Sequence, residues 1–197
     1  SVSEVFNLSV TVTALNDPPV IYTQEFLTTP EDTPISITLE YLGVADPDNS
    51  FPEDFQLTIL DGADYTHEGN TITPAGDFHG ELTIPVTVND GTDDSPAFPL
   101  NVMVTKTDDA PVIIGQKALS VSEDTELPLP PESLEVSDPD TLFPENFTLT
   151  ILPGENYAVT EAGIMPAENF AGDLAVPVIL SDGSSDTEIF TLSVTVI

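Results

Sequence analysis

Asp17, Asp46, Asp48 and Asp90 recur 92 residues further on as Asp109, Asp138, Asp140 and Asp182, in the same order and at the same spacing. Glu31 and Asp32 recur in the same way as Glu123 and Asp124. Carboxylates held a few ångströms apart repel one another, and must either take up protons or recruit a cation. The cation suited to many carboxylates and no thiolate is a hard one. Calcium takes six to eight oxygen ligands from Asp, Glu, backbone carbonyls and water, so a calcium site requires several such groups to meet at one point. The first question for the rest of the chain is which elements could gather these residues.

Other chemistries find little support. The chain has no cysteine, which removes disulfides, thiolate zinc and thiol catalysis. No serine stands in a nucleophile elbow, neither histidine has a partner at a telling spacing, and no glycine-rich loop could cradle phosphate, so the sequence predicts no enzyme. With 35 acidic residues against 2 basic ones, the net charge of −33 disfavours nucleic acid and direct contact with anionic membranes. No apolar run approaches the length of a membrane span. The Asp46-x-Asp48-Asn49 stretch opens like an EF-hand loop, but no glycine follows at the sixth place and Leu57 stands at the twelfth, so it is not one.

The recurrence is a duplication. Residues 17–105 align with 109–197 without a gap and are identical at 40 of 89 positions. A period of 92 residues is too long for a solenoid unit and suits a module with its own core. The chain therefore reads as two modules, 16–107 and 108–197. The stretch Phe6-Asn7-Leu8-Ser9-Val10-Thr11-Val12 aligns by the same offset with 98–104, so residues 1–15 read as the last strand of a preceding copy.

Within each copy the apolar residues alternate. Leu82, Ile84, Val86 and Val88, then Phe98, Leu100, Val102 and Val104, have the two-residue period of half-buried strands, and the second copy repeats it at Phe190, Leu192, Val194 and Val196. Prolines punctuate segment edges and no stretch forms an amphipathic helix. Strands are expected near 20–28, 34–41, 54–60, 63–67, 70–73, 82–89 and 97–105 and again 92 residues on. That makes each copy an all-β, immunoglobulin-like Greek-key sandwich.

Because successive strands run in opposite directions, the acids sort to poles. Asp17, Asp46, Asp48 and Asp90 fall at the amino-terminal pole of the first module, and Glu31, Asp32 and Asp77 at its other pole. In the second module Asp109, Asp138, Asp140 and Asp182 share one pole and Glu123 and Asp124 the other, with Asn169 in the place of Asp77. Modules stacked end to end would bring Glu31, Asp32 and Asp77 towards Asp108, Asp109, Asp138, Asp140 and Asp182, a calcium cage at the junction.

Asn16-Asp17-Pro18-Pro19-Val20, Glu31-Asp32-Thr33-Pro34, Asp46-Pro47-Asp48 and Val88-Asn89-Asp90-Gly91 resemble the signature of bacterial cadherin-like tandem repeats, and the resemblance covers both copies. It implies calcium bound between modules, neighbouring repeats of the same chain as partners, and a secreted or cell-surface protein with a structural or adhesive role. The partners of such an array would be a homophilic copy, another surface protein or a polysaccharide. By similarity the ligand roles fall on Asp108 and Asp109, Glu31, Asp138 with Asp140, and Asp182. The linker departs from the pattern, reading Thr107-Asp108-Asp109 where the first copy has Asn16-Asp17.

Each of these residues has a plainer reading. Asp and Asn favour turns by bonding their own backbone, so the acids could simply be the turns of a solvated, metal-independent spacer. Phe51, Phe55, Tyr65 and Phe78, with Phe143, Phe147, Tyr157 and Phe170, could form the platform of a carbohydrate-binding module, although strand aromatics chiefly fill cores. His67 and His79 are unique to the first copy and read as surface residues, with a secondary metal site the sharper alternative. Asn7-Leu8-Ser9 and Asn146-Phe147-Thr148 fit the glycosylation pattern, a frequent chance match. The extra strand at 5–14 could dock on another chain's open edge and give a swapped dimer.

Overall fold

The structure is a computed structural model that describes residue 5 and residues 7–197. The chain divides into two compact units, Ser1–Thr107 and Asp108–Ile197, each with its own core. The first comprises β1 (Val20–Gln24), β2 (Leu27–Pro30), β3 (Ile35–Ser36), a single 3-10 turn at Leu39–Tyr41, β4 (Leu42–Ala45), β5 (Gln56–Ile59), β6 (Tyr65–Glu68), β7 (Thr71–Pro74), β8 (Gly80–Asn89) and β9 (Phe98–Thr105). The second repeats them as β10 (Val112–Gln116), β11 (Leu119–Val121), β12 (Leu127–Pro128), a 3-10 turn at Pro131–Ser133, β13 (Leu134–Ser137), β14 (Thr148–Ile151), β15 (Tyr157–Val159), β16 (Gly163–Pro166), β17 (Gly172–Ser181) and β18 (Phe190–Val196).

Each unit is an all-β sandwich. One sheet has the order β2-β9-β8-β5, the other β3-β7-β6, and β1 pairs with β4 beside them. The second unit has β11-β18-β17-β14, β12-β16-β15 and β10-β13. The two-residue period does what alternation dictates. Leu82, Ile84, Val86 and Val88 of β8 and Leu100, Val102 and Val104 of β9 face inward and are buried against Ile37, Ile59 and Ile72. The aromatics expected in the core are there: Phe55, Tyr65 and Phe147 are buried, while Phe51, Phe78, Phe143, Tyr157 and Phe170 pack against the same clusters. Phe51 meets Phe55, and Phe143 meets Phe147, edge to face at 5.3 and 5.2 Å.

Two expected strands are broken in the same way in both copies. The segment near 20–28 is two strands: β1 runs antiparallel to β4, and after a register shift between Ile21 and Thr23 the chain crosses over and β2 runs parallel to β9. At the crossover the Gln24 side chain takes the place of a strand. Its Oε1 accepts from Asn101 N at 2.8 Å and its Nε2 donates to Asn101 O at 2.7 Å, and Gln116 does the same to Ser193 at 2.8 and 2.9 Å. The segment near 34–41 is likewise β3, then the 3-10 turn leading into β4. Residues 7–15 form no strand, and Leu8, Val10, Val12 and Leu15 are exposed; Phe6, which carried part of the expectation there, lies outside the described residues.

Candidate metal-binding poles

At the amino-terminal pole of the first unit, two loops present carboxylates in the same manner. Asp46 follows β4 and its Oδ1 accepts from Asp48 N and Asn49 N at 2.7 and 2.8 Å. Asp90 follows β8 and its Oδ1 accepts from Thr92 N and Asp93 N at 2.7 and 2.8 Å, in a turn that Gly91 allows with a φ of 98°. One oxygen of each carboxylate thus holds its own loop. The segment entering β1 docks between them: Asp17 N donates to Asp48 Oδ2 at 2.9 Å, Asn16 Nδ2 donates to Asp90 Oδ2 at 3.0 Å and to Asp93 Oδ2 at 2.9 Å, and Asn49 Nδ2 donates to Asp90 O at 3.1 Å. Asp90 is only 3% exposed, and the N–H groups of its turn together with the Asn16 amide hold its carboxyl below the ordinary carboxylate range.

The second unit repeats this frame. Asp138 Oδ1 accepts from Asp140 N and Thr141 N at 2.8 and 2.7 Å, Asp182 Oδ1 accepts from Ser184 N and Ser185 N at 2.7 and 2.8 Å, and Asp109 N donates to Asp140 Oδ2 at 2.6 Å. Ser185 Oγ donates to Asp108 Oδ2 at 2.8 Å. Asp182 is 8% exposed. The second oxygens of Asp46, Asp138 and Asp182 are buried and, among the described residues, have no hydrogen-bond partner. Buried carboxylate oxygens normally have one, because leaving them unpaired costs free energy. Hard oxygen donors with one lobe anchored and the other open are what a calcium ion needs from a protein.

The opposite poles differ between copies. Glu31 is 4% exposed: its N–H donates to Thr105 O at 2.9 Å, its Oε1 accepts from Thr107 N, and His79 Nδ1 lies 3.8 Å from its Oε2. Asp32 and Asp77 both have the left-handed backbone, with φ of 55° and 58°, and each offers a carboxylate oxygen within 4.8 Å of the other. Glu123 and Asp124 are exposed, with Glu123 N donating to Ile197 O at 3.1 Å and Ala171 where the first copy has His79. His67 lies 3.4 Å from the exposed Asp61. Hydrogen bonds through backbone and side chains therefore place Asp17, Asp46, Asp48 and Asp90 at one pole of the first unit and Asp108, Asp109, Asp138, Asp140 and Asp182 at one pole of the second, while Asp32 and Asp77 are the pair with carboxylate oxygens within 4.8 Å of one another.

Asp93 and Ser185 were not singled out from the sequence, and Asn16 and Asn49 only as parts of motifs. Asp93 and Ser185 occupy equivalent positions but differ in type, so a search for acids shared by both copies passes over them. The signal that finds them is the parallel difference at 16 and 108.

Comparison with known proteins agrees with the architecture. Residues 16–102 match the family model described as Bacterial Ig domain. No curated protein matches the chain at a significant level. Among solved structures, human Protocadherin-24 EC1-2 superposes with a TM-score of 0.58 at 16% identity, covering 92% of this chain and 99% of that one. The protocadherin gammaB7 EC3-6 cis-dimer structure gives 0.51 at 14% identity, covering 91% of this chain and 51% of that one, and the Protocadherin GammaB4 extracellular domain gives 0.50 at 15%, covering 94% and 33%. At such identities the likeness is one of fold. The fold so defined is a β-sandwich of the kind seen in immunoglobulin and cadherin repeats, present here in two tandem copies, and within it residues 16–102 are similar to the Bacterial Ig domain.

Proposed function

We propose that these repeats bind calcium at their carboxylate poles and serve as non-catalytic structural or adhesive modules of a secreted or cell-surface protein. The observation that carries the reading is the matched set of buried oxygens on Asp46, Asp138 and Asp182 that have no hydrogen-bond partner among the described residues, each on a carboxylate whose other oxygen is tied down by two backbone N–H groups. A mere turn former needs only the tied oxygen. The proposed ligands are Asp17, Asp46, Asp48 and Asp90 in the first unit and Asp108, Asp109, Asp138, Asp140 and Asp182 in the second, with Glu31, Asp32 and Asp77 as a further group and Glu123 and Asp124 as their exposed counterparts. The extracellular setting rests on the fold shared with ectodomains such as that of Protocadherin GammaB4, and on a surface of net charge −33. Among the described residues no helix is long and apolar enough to cross a membrane.

An ion that binds only the folded state stabilises it by mass action. Calcium should therefore raise the melting temperature of the chain, chelator should reverse the rise, and calorimetric titration should give saturable heats. Identical melting curves in millimolar calcium and in chelator would refute the proposal.

A further inference from the structure

The two amino-terminal poles look interchangeable by count, since each carries five carboxylates: Asp17, Asp46, Asp48, Asp90 and Asp93 in one, Asp108, Asp109, Asp138, Asp140 and Asp182 in the other. Their wiring differs. In the first unit the contact between the entering segment and the turn after β8 has its donor on the entering segment, where Asn16 Nδ2 donates to Asp93 Oδ2 at 2.9 Å. In the second unit the same two positions are exchanged in role. Asp108 is now the acceptor and Ser185 in the turn the donor, at 2.8 Å. Positions 16 and 108, and 93 and 185, are each 92 apart, so one contact has been kept while its donor and acceptor have traded sides.

The exchange has a consequence one bond away. The Asn16 amide has a second N–H and gives it to Asp90 Oδ2 at 3.0 Å. Asp108 has no N–H in its side chain to give, and the equivalent Asp182 Oδ2 is buried without a hydrogen-bond partner among the described residues. An amide donor already occupies, in the first unit, the oxygen that the second unit leaves open.

Building on the calcium reading above, we infer that the Asn16–Asp93 and Asp108–Ser185 pairs set the relative cation affinity of the two poles, Asn16 acting as a built-in competitor that makes the first unit's pole the weaker site. An ion must displace the Asn16 N–H before it can take both lobes of Asp90, whereas at Asp182 it meets no rival. The displaced bond is a charge-assisted one, so the two affinities should differ by about tenfold or more. Because charge is the same at both poles, the difference comes from hydrogen bonding and not from net electrostatics.

The amides of Gly91 and Gly183 sit immediately after Asp90 and Asp182, so each reports on one pole in a nuclear magnetic resonance titration of the whole chain with calcium. In the wild-type chain the Gly183 signal should reach its midpoint at about tenfold less calcium than Gly91. The charge-neutral double substitution Asn16→Asp with Asp93→Ser should move the Gly91 midpoint down to that of Gly183, with the melting temperature in chelator lowered because the contact between 16 and 93 re-forms with its roles reversed but the bond to Asp90 Oδ2 is not replaced. The opposite exchange, Asp108→Asn with Ser185→Asp, should move the Gly183 midpoint up and serves if the first variant folds poorly. Equal midpoints in the wild type, Gly91 saturating first, or double variants that leave the midpoints in place would overturn the inference while leaving calcium binding intact. If neither glycine responds to calcium, the reading of the poles as calcium sites fails first, and this one with it.

Discussion

Asp138→Asn separates a metal ligand from a turn former. The amide oxygen can keep both bonds that Asp138 Oδ1 now accepts, from Asp140 N at 2.8 Å and Thr141 N at 2.7 Å. What is lost without calcium is the charge assistance on two hydrogen bonds, about 1–2 kcal/mol, and part of that returns because one of five crowded carboxylates is gone. The net cost in chelator should be about 1 kcal/mol, or about 4–8 °C in melting temperature for a unit of this size. With calcium the comparison changes. At a free concentration 100 times the dissociation constant the wild type gains about 2.7 kcal/mol, and the variant, having neither the charge nor the open oxygen, forfeits that gain. The gap should widen from about 1 to about 4 kcal/mol. Hydrogen exchange at the amides of Val176, Val178 and Leu180, buried in β17, reads the stability of the second unit by itself, with Ile84, Val86 and Val88 of the first as internal control. Asp138→Ala, which removes both acceptors, should cost about 2–3 kcal/mol in either buffer before any calcium effect. If Asp138→Asn costs the same with and without calcium, Asp138 is only a turn former and the argument from its open oxygen is wrong.

Further expectations follow from single residues. Asn16→Ala should let the Asp90 carboxyl titrate at a higher pH than in the wild type, seen in its carboxyl carbon shift. Since folding lowers that pKa from its ordinary 3.8, the stability Asp90 provides is present above the unfolded value and lost as pH falls through the folded one, so an unchanged titration would disprove the Asn16 contribution. Gly163→Ala should destabilise the second unit by about 3 kcal/mol or more in thermal melts, because a Cβ there would run into the Leu127 carbonyl oxygen and approach Leu129 N to 2.8 Å, although the first copy carries Thr71 at the same place. Tyr157→Phe should cost about 1 kcal/mol by removing the bond its hydroxyl donates to Leu152 O at 2.6 Å. Burial pushes that phenol's pKa up, so the contribution should be complete below pH 10 and fade as pH rises through the folded value, which absorbance titration checks.

The core was legible because its signal is periodic: Leu82 to Val88 and Leu100 to Val104 alternate without interruption, and a strand with one buried face can satisfy that pattern in only one register. The break after Gln24 was not, since the residues on either side remain apolar at alternate positions and nothing local marks a strand that changes sheets. The device that permits it, the Gln24 amide standing in for a backbone partner, is visible only in three dimensions. At the poles, the repeat pointed to the acids common to both copies. It could not show that Asp93 and Ser185 belong to the same arrangement, because hydrogen bonding conserves a donor facing an acceptor and not the residue type that supplies either.

The parallel pairing of β2 with β9, and of β11 with β18, decides how each sandwich bears tension. A pull on the chain entering a unit draws β2 towards one end, while a pull on the chain leaving it draws β9 towards the other. Because the strands point the same way, the pairs from Leu27 and Val102 to Pro30 and Thr105 are loaded together in shear, whereas an antiparallel hairpin pulled from its open end would peel apart one pair at a time. The same holds from Leu119 and Val194 to Val121 and Val196. Once load has passed the entering β1–β4 or β10–β13 pair, the strands that carry it inward and outward are thus clasped directly to one another, and the rest of the sandwich is shielded until that clasp gives way.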